Sequence, residues 1–380
     1  MLSKPTVPGH RFFIVFLSAI LWVIGNSASK LQSAEKPARY SPALEKVIEG
    51  AKKEGALKIQ WLPARLGGEA GLRPMVEAMN RTYGTNIKLR FTPGPDFNIM
   101  LNKIIQEKAA GAPASSDVNL MSANQASQGE NSGMLRKMDW ESILERPAPP
   151  DANVSRLAPK GASVIVASRV VGITYNSNLV KGSDIPDSME DVFNPKWKEK
   201  IVSATGAPGL YQFAAKDMLG YDHMKGYTQR LGKHIGGLTS CSNVERISSG
   251  EFAMMVFDCG HDDALRYQKR GAPLGHAIVR EITRINLMYV GVPLNAENPN
   301  AATLFINFLH TPEGQVLQWQ HSSQDFHIYP EAYTRNLVQR VISARGKLVL
   351  DTVEREQSLG HEEVSRIRDE FVKILMEGSR

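Results

Sequence analysis

The chain has 380 residues, 42% hydrophobic and 22% charged, with a formal net charge of +6. That balance excludes a disordered or low-complexity protein, and the length suits two lobes rather than one core. Lysine and arginine never run longer than two in succession and do not alternate with aromatics, so the charge pattern describes no nucleic-acid surface.

Residues 12–25 (FFIVFLSAILWVIG) form an apolar run without charge, preceded by Lys4, His10 and Arg11. A membrane-spanning helix needs about 20 apolar residues, whereas a secretory leader needs about 7 to 15 after a positive start. With small residues at 26–29 and again at Ser33 and Ala34, the run reads as a cleaved signal peptide over 1–34; the alternative is an uncleaved anchor. No cysteine stands just after the run, which argues against a lipid-anchored form. Losing Lys4, Arg11 and Lys30 with the leader leaves a formal +3. Cys241 and Cys259 then sit in an oxidising compartment, where a pair is expected to bridge. A thiol nucleophile at Cys259 beside His261 is the other reading.

Ser41 and Pro42 open a helix through 53, with Leu44, Val47, Ile48 and Ala51 at helical spacing. A strand over 56–62, a small-residue loop over 63–71 (PARLGGEAG), a helix over 72–83 and a strand over 87–91 have the spacing of a parallel crossover. A helix over 97–110 and a strand over 117–121 follow, the strand running into Ser122, Ala123 and Asn124. Residues 145–162 hold Pro147, Pro149, Pro150 and Pro159 and read as a surface loop or an approach to a hinge. The β-branched run 164–175 is a strand stopped by polar residues at 176–178. Asp187 and Ser188 then start a helix that Asn194 and Pro195 end, and 200–203 is a buried strand. Gly206, Ala207, Pro208 and Gly209 deliver the chain to a helix near Leu210.

Further on, 212–219, 225–231 and 264–270 read as helices and 252–257 as a buried strand. Segments 277–280 and 286–290 return the chain to the first lobe. Residues 301–309 and 312–320 are helical, and 352–376 forms one or two charged amphipathic helices. The alternation predicts mostly parallel α/β sheets, in which ligands bind at the carboxyl ends of strands. The loops at 63–71, 122–125, 204–211, 258–263 and 289–294 are therefore the candidate binding loops.

In these loops Arg65 and the backbone around Gly67 can hold an anion, or the turn simply needs glycine. Ser122, Asn124, Thr205, Gly209 and Tyr289 are further candidate ligand contacts. Asp258 and His261 either touch a cationic or hydroxylated solute or, with Asp262 and Asp263, merely open a helix. No phosphate-binding or dinucleotide glycine loop occurs in usable context. No carboxylate pair has a spacing with mechanical meaning, so no catalytic residue and no cofactor is assigned.

Several stretches carry a resemblance. SPALEKVIEGAKKEGALKIQW, YNSNLV, IPDSMEDVFNPKWKEKIV, GEFAMMVFDCGHDDALRYQKRGAPL and NAENPNAATLFINFLHTPEGQ, in that order between 41 and 320, resemble family 1 of the bacterial extracellular solute-binding proteins, the periplasmic receptors of ABC importers. The resemblance implies a two-lobed type II periplasmic binding protein, α/β in each lobe, with a hinge between them. Lobe 1 is expected over 41–168 and 289–345, lobe 2 over 169–288, and a helical tail over 346–380. It further implies a periplasmic monomer that captures a small polar solute between the lobes and delivers it to the transmembrane subunits of a permease, with no nucleic-acid partner. Related members bind ferric iron, thiamine, polyamines or phosphonates. The resemblance places a ligand contact at Tyr211, which otherwise serves packing. The ferric-binding members resemble one another in carrying adjacent tyrosines at the turn before the helix at Leu210, where this chain has Tyr211 followed by Gln212. Iron therefore stays an alternative ligand only, with Asp258, His261, Asp262 and Asp263 as other donors. A secreted enzyme on the same scaffold and a ligand-sensing subunit for a membrane receptor are the alternative functions.

Overall fold

The computed structural model describes residues 40–379, apart from Ala64, Asp151, Asn153, Ser155, Arg156, Pro159, Pro208 and Ser242, so the leader read over 1–34 lies outside the described residues. Helix α1 (Pro42–Glu54) begins as its sequence dictates. The Ser41 hydroxyl accepts from the Leu44 N–H at 3.1 Å, and Pro42 needs no donor partner in the first turn. Strand β1 (Ala56–Trp61) pairs in parallel with β2 (Lys88–Pro93) across α2 (Gly68–Tyr83), the crossover expected. Then come α3 (Phe97–Ala109), capped by Asp96, β3 (Asn119–Met121), α4 (Ala123–Asn131) and α5 (Trp140–Ile143).

The run expected as one strand over 164–175 is two, β4 (Ser163–Val170) and β5 (Ile173–Asn176). The break has a packing cause. The Gly172 N–H donates to Asp258 Oδ1 at 3.1 Å, and a Cβ on Gly172 would stand 2.3 Å from the Ala277 carbonyl oxygen. Beyond it lie β6 (Ile201–Ala204), α6 (Leu210–Phe213), α7 (Tyr221–Gly232), β7 (Leu238–Thr239), α8 (Glu245–Ser248), β8 (Met254–Val256), α9 (His261–Gln268) and β9 (Leu274–Ala277). Two helices expected here are curtailed. Residues Met189–Phe193 form only a 3-10 turn before Pro195, which favours extended backbone at Asn194. Helix α6 stops after one turn, where the Leu219 N–H closes back on the Phe213 carbonyl at 2.9 Å.

The chain returns through β10 (Ile282–Gly291), α10 (Pro299–His310), α11 (Pro312–Ser322), α12 (Tyr333–Ser343), β11 (Lys347–Asp351), α13 (Val353–Leu359) and α14 (His361–Gly378). The α/β class holds, but the sheets are mixed where mostly parallel ones were expected. β10 runs antiparallel to β3 and β4 and parallel to β11. In the second sheet, ordered β7-β6-β8-β5-β9, β6 is parallel to both neighbours and β5 antiparallel to both of its own. The reason is topological: β4, β5 and β10 carry the chain between the two halves and are not linked to their partners by helical crossovers.

Buried apolar side chains gather mainly into two cores. One runs from Leu44 to Val170, takes in Ile278 and resumes from Ile285 to Val341; the other, Ile278 apart, runs from Val171 to Ile282. The tail joins both. Val353 lies in the first core, whereas Val349, Phe371 and Leu375 lie in the second. Accordingly α13 packs on α4, and α14 packs on α6 and α7.

Candidate ligand site

Strand β3 ends at Met121, and Ser122 stands at the start of α4, where its N–H donates to Gln125 Oε1 at 3.3 Å and its hydroxyl donates to the same oxygen. The Gln125 amide then donates to Asn98 Oδ1 at 2.6 Å, tying α3 to α4. This polar ledge forms one wall of a cavity of about 210 Å³. Tyr211 of α6 and Arg284 of β10 line it too, and Asp351, Glu356, Ser365 and Arg368 close it from the tail. A second cavity of about 550 Å³, lined by Ser127, Gln128, Asn131 and Gln357, shares Asn124 and Glu356 with the first.

The charges in the first cavity are unevenly matched. Arg284 and Asp351 form a buried ion pair. Burial disfavours the Arg284 cation, but Asp351 and Tyr211 outweigh it and hold its pKa above the ordinary value. The guanidinium carbon lies 5.9 Å from the Tyr211 ring centroid. Glu356 is different. Its carboxylate accepts from the Gln212 amide at 2.9 Å, and the same amide reaches Asp351 at 3.4 Å. Burial first, then the neighbouring Asp351 charge, pushes the Glu356 carboxyl up to about 7.

Ser122, Asn124 and Tyr211 are thus brought together, and the other candidate residues are not. Arg65 lies in the turn before α2 and reaches α9 of the second half, with Asp262 at 3.3 Å and Asp263 at 3.8 Å. The same two acids receive Arg169 of β4 at 2.6 and 2.9 Å. Burial opposes ionisation of Asp262, but Arg169 and Arg65 win and bring it to about 2; Asp263 is raised by burial and by Asp262. His261 is fully buried, with Nδ1 accepting from the Val170 N–H at 3.0 Å and Nε2 donating to the Ser323 carbonyl at 2.8 Å. Those bonds define a neutral imidazole, and burial lowers its pKa to about 4.

Asp258 accepts from the Gly172 and Gly260 N–H groups and the Thr174 hydroxyl, with His276 at 3.1 Å. It serves the second sheet, and burial is overcome by His276, which keeps its pKa low. Tyr289 is buried, its hydroxyl accepting from the Val353 N–H at 3.3 Å. Thr205 is exposed, with its N–H on the Thr239 carbonyl at 2.9 Å; Gly67 and Gly209 immediately precede α2 and α6. Cys241 and Cys259 form a disulfide. Among the described residues, no group of three or more His, Cys, Asp or Glu side chains is arranged to hold a metal ion.

Sequence reasoning missed Asn98, Arg284, Asp351 and Glu356. A signal existed for two of them: Arg284 interrupts the apolar run ITRINLMYV, and Asp351 ends KLVLD. A charge within a buried strand needs a partner, and these two are each other's.

Residues 75–330 match the sequence profile of a family described as bacterial extracellular solute-binding protein. The chain belongs to the bacterial extracellular solute-binding proteins. No curated protein matches this solute-binding protein in sequence. Solved structures resemble it in fold. The substrate-binding protein of an ABC transporter from Agrobacterium tumefaciens is 17% identical, with a TM-score of 0.65 over 86% of this chain and 96% of its own. The spermidine/putrescine transporter protein PotD from Streptococcus pneumoniae is 15% identical, TM-score 0.63, over 84% and 99%. The periplasmic binding protein AfuA from Actinobacillus pleuropneumoniae, with fructose-6-phosphate bound, is 18% identical, TM-score 0.61, over 84% and 98%. At these identities the likeness establishes the two-lobed periplasmic-binding-protein fold and leaves the ligand to the chemistry of the site.

Proposed function

We propose that this solute-binding protein is the periplasmic substrate-binding component of an ABC importer. After removal of the 1–34 leader it captures a small polar solute between its two cores and passes it to the transmembrane subunits of a permease. The observation that carries this reading is the origin of the cavity walls. Asn98, Ser122, Asn124 and Gln125 belong to elements of the first core, Tyr211 to the second, and Arg284 to the strand that connects them. A solute touching both walls favours the arrangement in which they are closest, so its differential affinity drives closure about the crossings at Val170–Gly172 and 278–282. The lining of amides and hydroxyls suits a solute that makes several hydrogen bonds. The fold neighbours whose names identify them as ABC-transporter substrate-binding proteins support the same reading.

In this reading the solute is released unchanged. Native mass spectrometry of the mature protein taken from periplasm, followed by denaturing identification, tests it. A stoichiometric small molecule that also changes the small-angle scattering curve on re-addition is the expected result. Conversion of the added solute to a product, or unimpaired uptake after deletion of the chain, would overturn it.

A further inference from the structure

The tail holds an acid in the cavity that has no cation. Helix α13 is tethered on both sides: Gln357 donates to the Ser127 hydroxyl of α4 at 3.1 Å, and Arg355 pairs with Asp217, just past α6, at 2.8 Å. Glu356 lies between these tethers and faces both cavities. The cations around it are already committed. Arg284 pairs with Asp351 and Arg368 with Asp369, and no cation stands within ion-pair distance of Glu356 among the described residues. Next to the carboxylate, Gln212 is almost wholly buried; its amide nitrogen serves the two acids, while its Oε1 is an acceptor without a partner. Gln212 lines neither cavity, but Arg284 lines the first, is 8% exposed and keeps an Nε–H without a partner. An open donor beside a carboxylate that no cation matches calls for a ligand that brings both an acceptor and a positive charge.

We propose that Glu356 is a specificity-determining residue of the solute site, and that it pairs with a protonated amine of the ligand. The inference rests on the cleft reading above and adds the ligand's charge class to it. Because the charge of Arg284 is balanced by Asp351, its open Nε–H suits a neutral acceptor such as a hydroxyl, whereas the amine replaces the proton that Glu356 otherwise keeps. The groups facing Glu356 set the expected pH dependence. They are Asp351 on β11, Arg284 on β10, Tyr211 on α6 and Arg368 on α14; α4 lines both cavities with uncharged side chains only. With Glu356 at about 7, its ionised fraction, and hence amine affinity, rises about tenfold from pH 6 to pH 8.

The test is a calorimetric and thermal-shift panel on the mature protein, stripped of cargo. The probes are small amines such as ethanolamine and 4-aminobutanol, uncharged polyols such as 1,4-butanediol, and anions such as 4-hydroxybutyrate and glycerol phosphate. Binding confined to the amines is expected, tenfold or more weaker in Glu356→Gln and without the rise between pH 6 and pH 8 in that variant. Glu354→Gln, which removes an exposed acid of the same helix outside both cavities, should leave the amines bound. Binding of polyols or anions alone, or amine binding equal in Glu356→Gln and the wild type, overturns the inference and leaves the cleft reading standing. Failure of every class removes the cleft reading, and the inference with it.

Discussion

The Glu356 carboxyl makes a prediction about stability that needs no ligand. In the unfolded chain it titrates near 4.5, and in the fold near 7. The folded state therefore keeps the proton to higher pH than the unfolded chain, so the associated stability is complete below pH 4.5 and is lost as pH rises through 7. At 1.36 kcal/mol per pH unit the full loss is about 3 kcal/mol; partial exposure to solvent screens it to about 2 kcal/mol. Glu356→Gln keeps the shape and an Oε1 for the Gln212 amide, and it removes the charge beside Asp351. The ligand-free variant should melt close to the wild type at pH 5 and about 3 °C above it at pH 8, since a chain of this length unfolds with roughly 0.7 kcal/mol/K of entropy. Differential scanning calorimetry at the two pH values decides. A variant that melts below the wild type at pH 8, or shares its pH dependence, refutes the assignment of the raised carboxyl to this site.

Three other outcomes follow from the buried charges and the bridge. Arg169→Met strips Asp262 and Asp263 of their nearest cation and should cost about 3–5 kcal/mol, whereas Arg65→Met should cost clearly less because Arg169 still pairs with both acids and Arg266 with Asp263; equal losses in urea unfolding contradict this. His261, His310 and His327 are lowered to about 4, 3 and 3 by burial, so the stability they contribute is full above pH 6.5 and lost as pH falls towards those values. Each steepens the acid limb by up to about 1.4 kcal/mol per pH unit, and a limb unchanged in His310→Gln would show that His310 is not among the groups responsible. Replacing both Cys241 and Cys259 by serine opens a link spanning 18 residues and should cost about 3 kcal/mol, read as a lower melting temperature; no loss argues that the closed loop does not restrict the unfolded chain.

The local elements were legible where periodicity and caps agree. The Ser41-Pro42 start with its apolar spacing gives α1, and the strand, glycine-rich loop, helix and strand at 56–91 give the β1-α2-β2 crossover. The break at Gly172 was not legible, because β-branched residues continue on both sides and the cause is a carbonyl more than a hundred residues away at Ala277. Nor was β11, since KLVLD is a short apolar alternation that becomes a strand only by pairing with Ile282–Asn286. The site shows the same division. Ser122 and Tyr211 stand at strand-to-helix turns, where position alone marks them. Glu356 stands in an ordinary charged helix, and only the tertiary placement of α13 beside Asp351 and Gln212 distinguishes it from its exposed neighbour Glu354.

That placement also constrains how the two cores can move. The chain passes between them at Val170 and Val171 and again around Ile278 to Ile285, crossings that suffice for a hinge. The tail adds more, from Val341 in the first core to Val349 in the second, back to Val353, and on to Phe371 and Leu375. Between α13 and α14 stands Gly360 at φ +77°, a conformation that strains residues with a side chain, and a Cβ there would meet nothing within 4 Å. The Gly360 carbonyl accepts from the Val364 N–H at 3.1 Å, and the space beside the turn is otherwise open, whereas Val170 and Val171 are buried. A rotation of one core against the other therefore acts on the two tethers that flank Glu356, to Ser127 of α4 and to Asp217 past α6. The acid that selects the ligand is thus mechanically coupled to the closure that retains it.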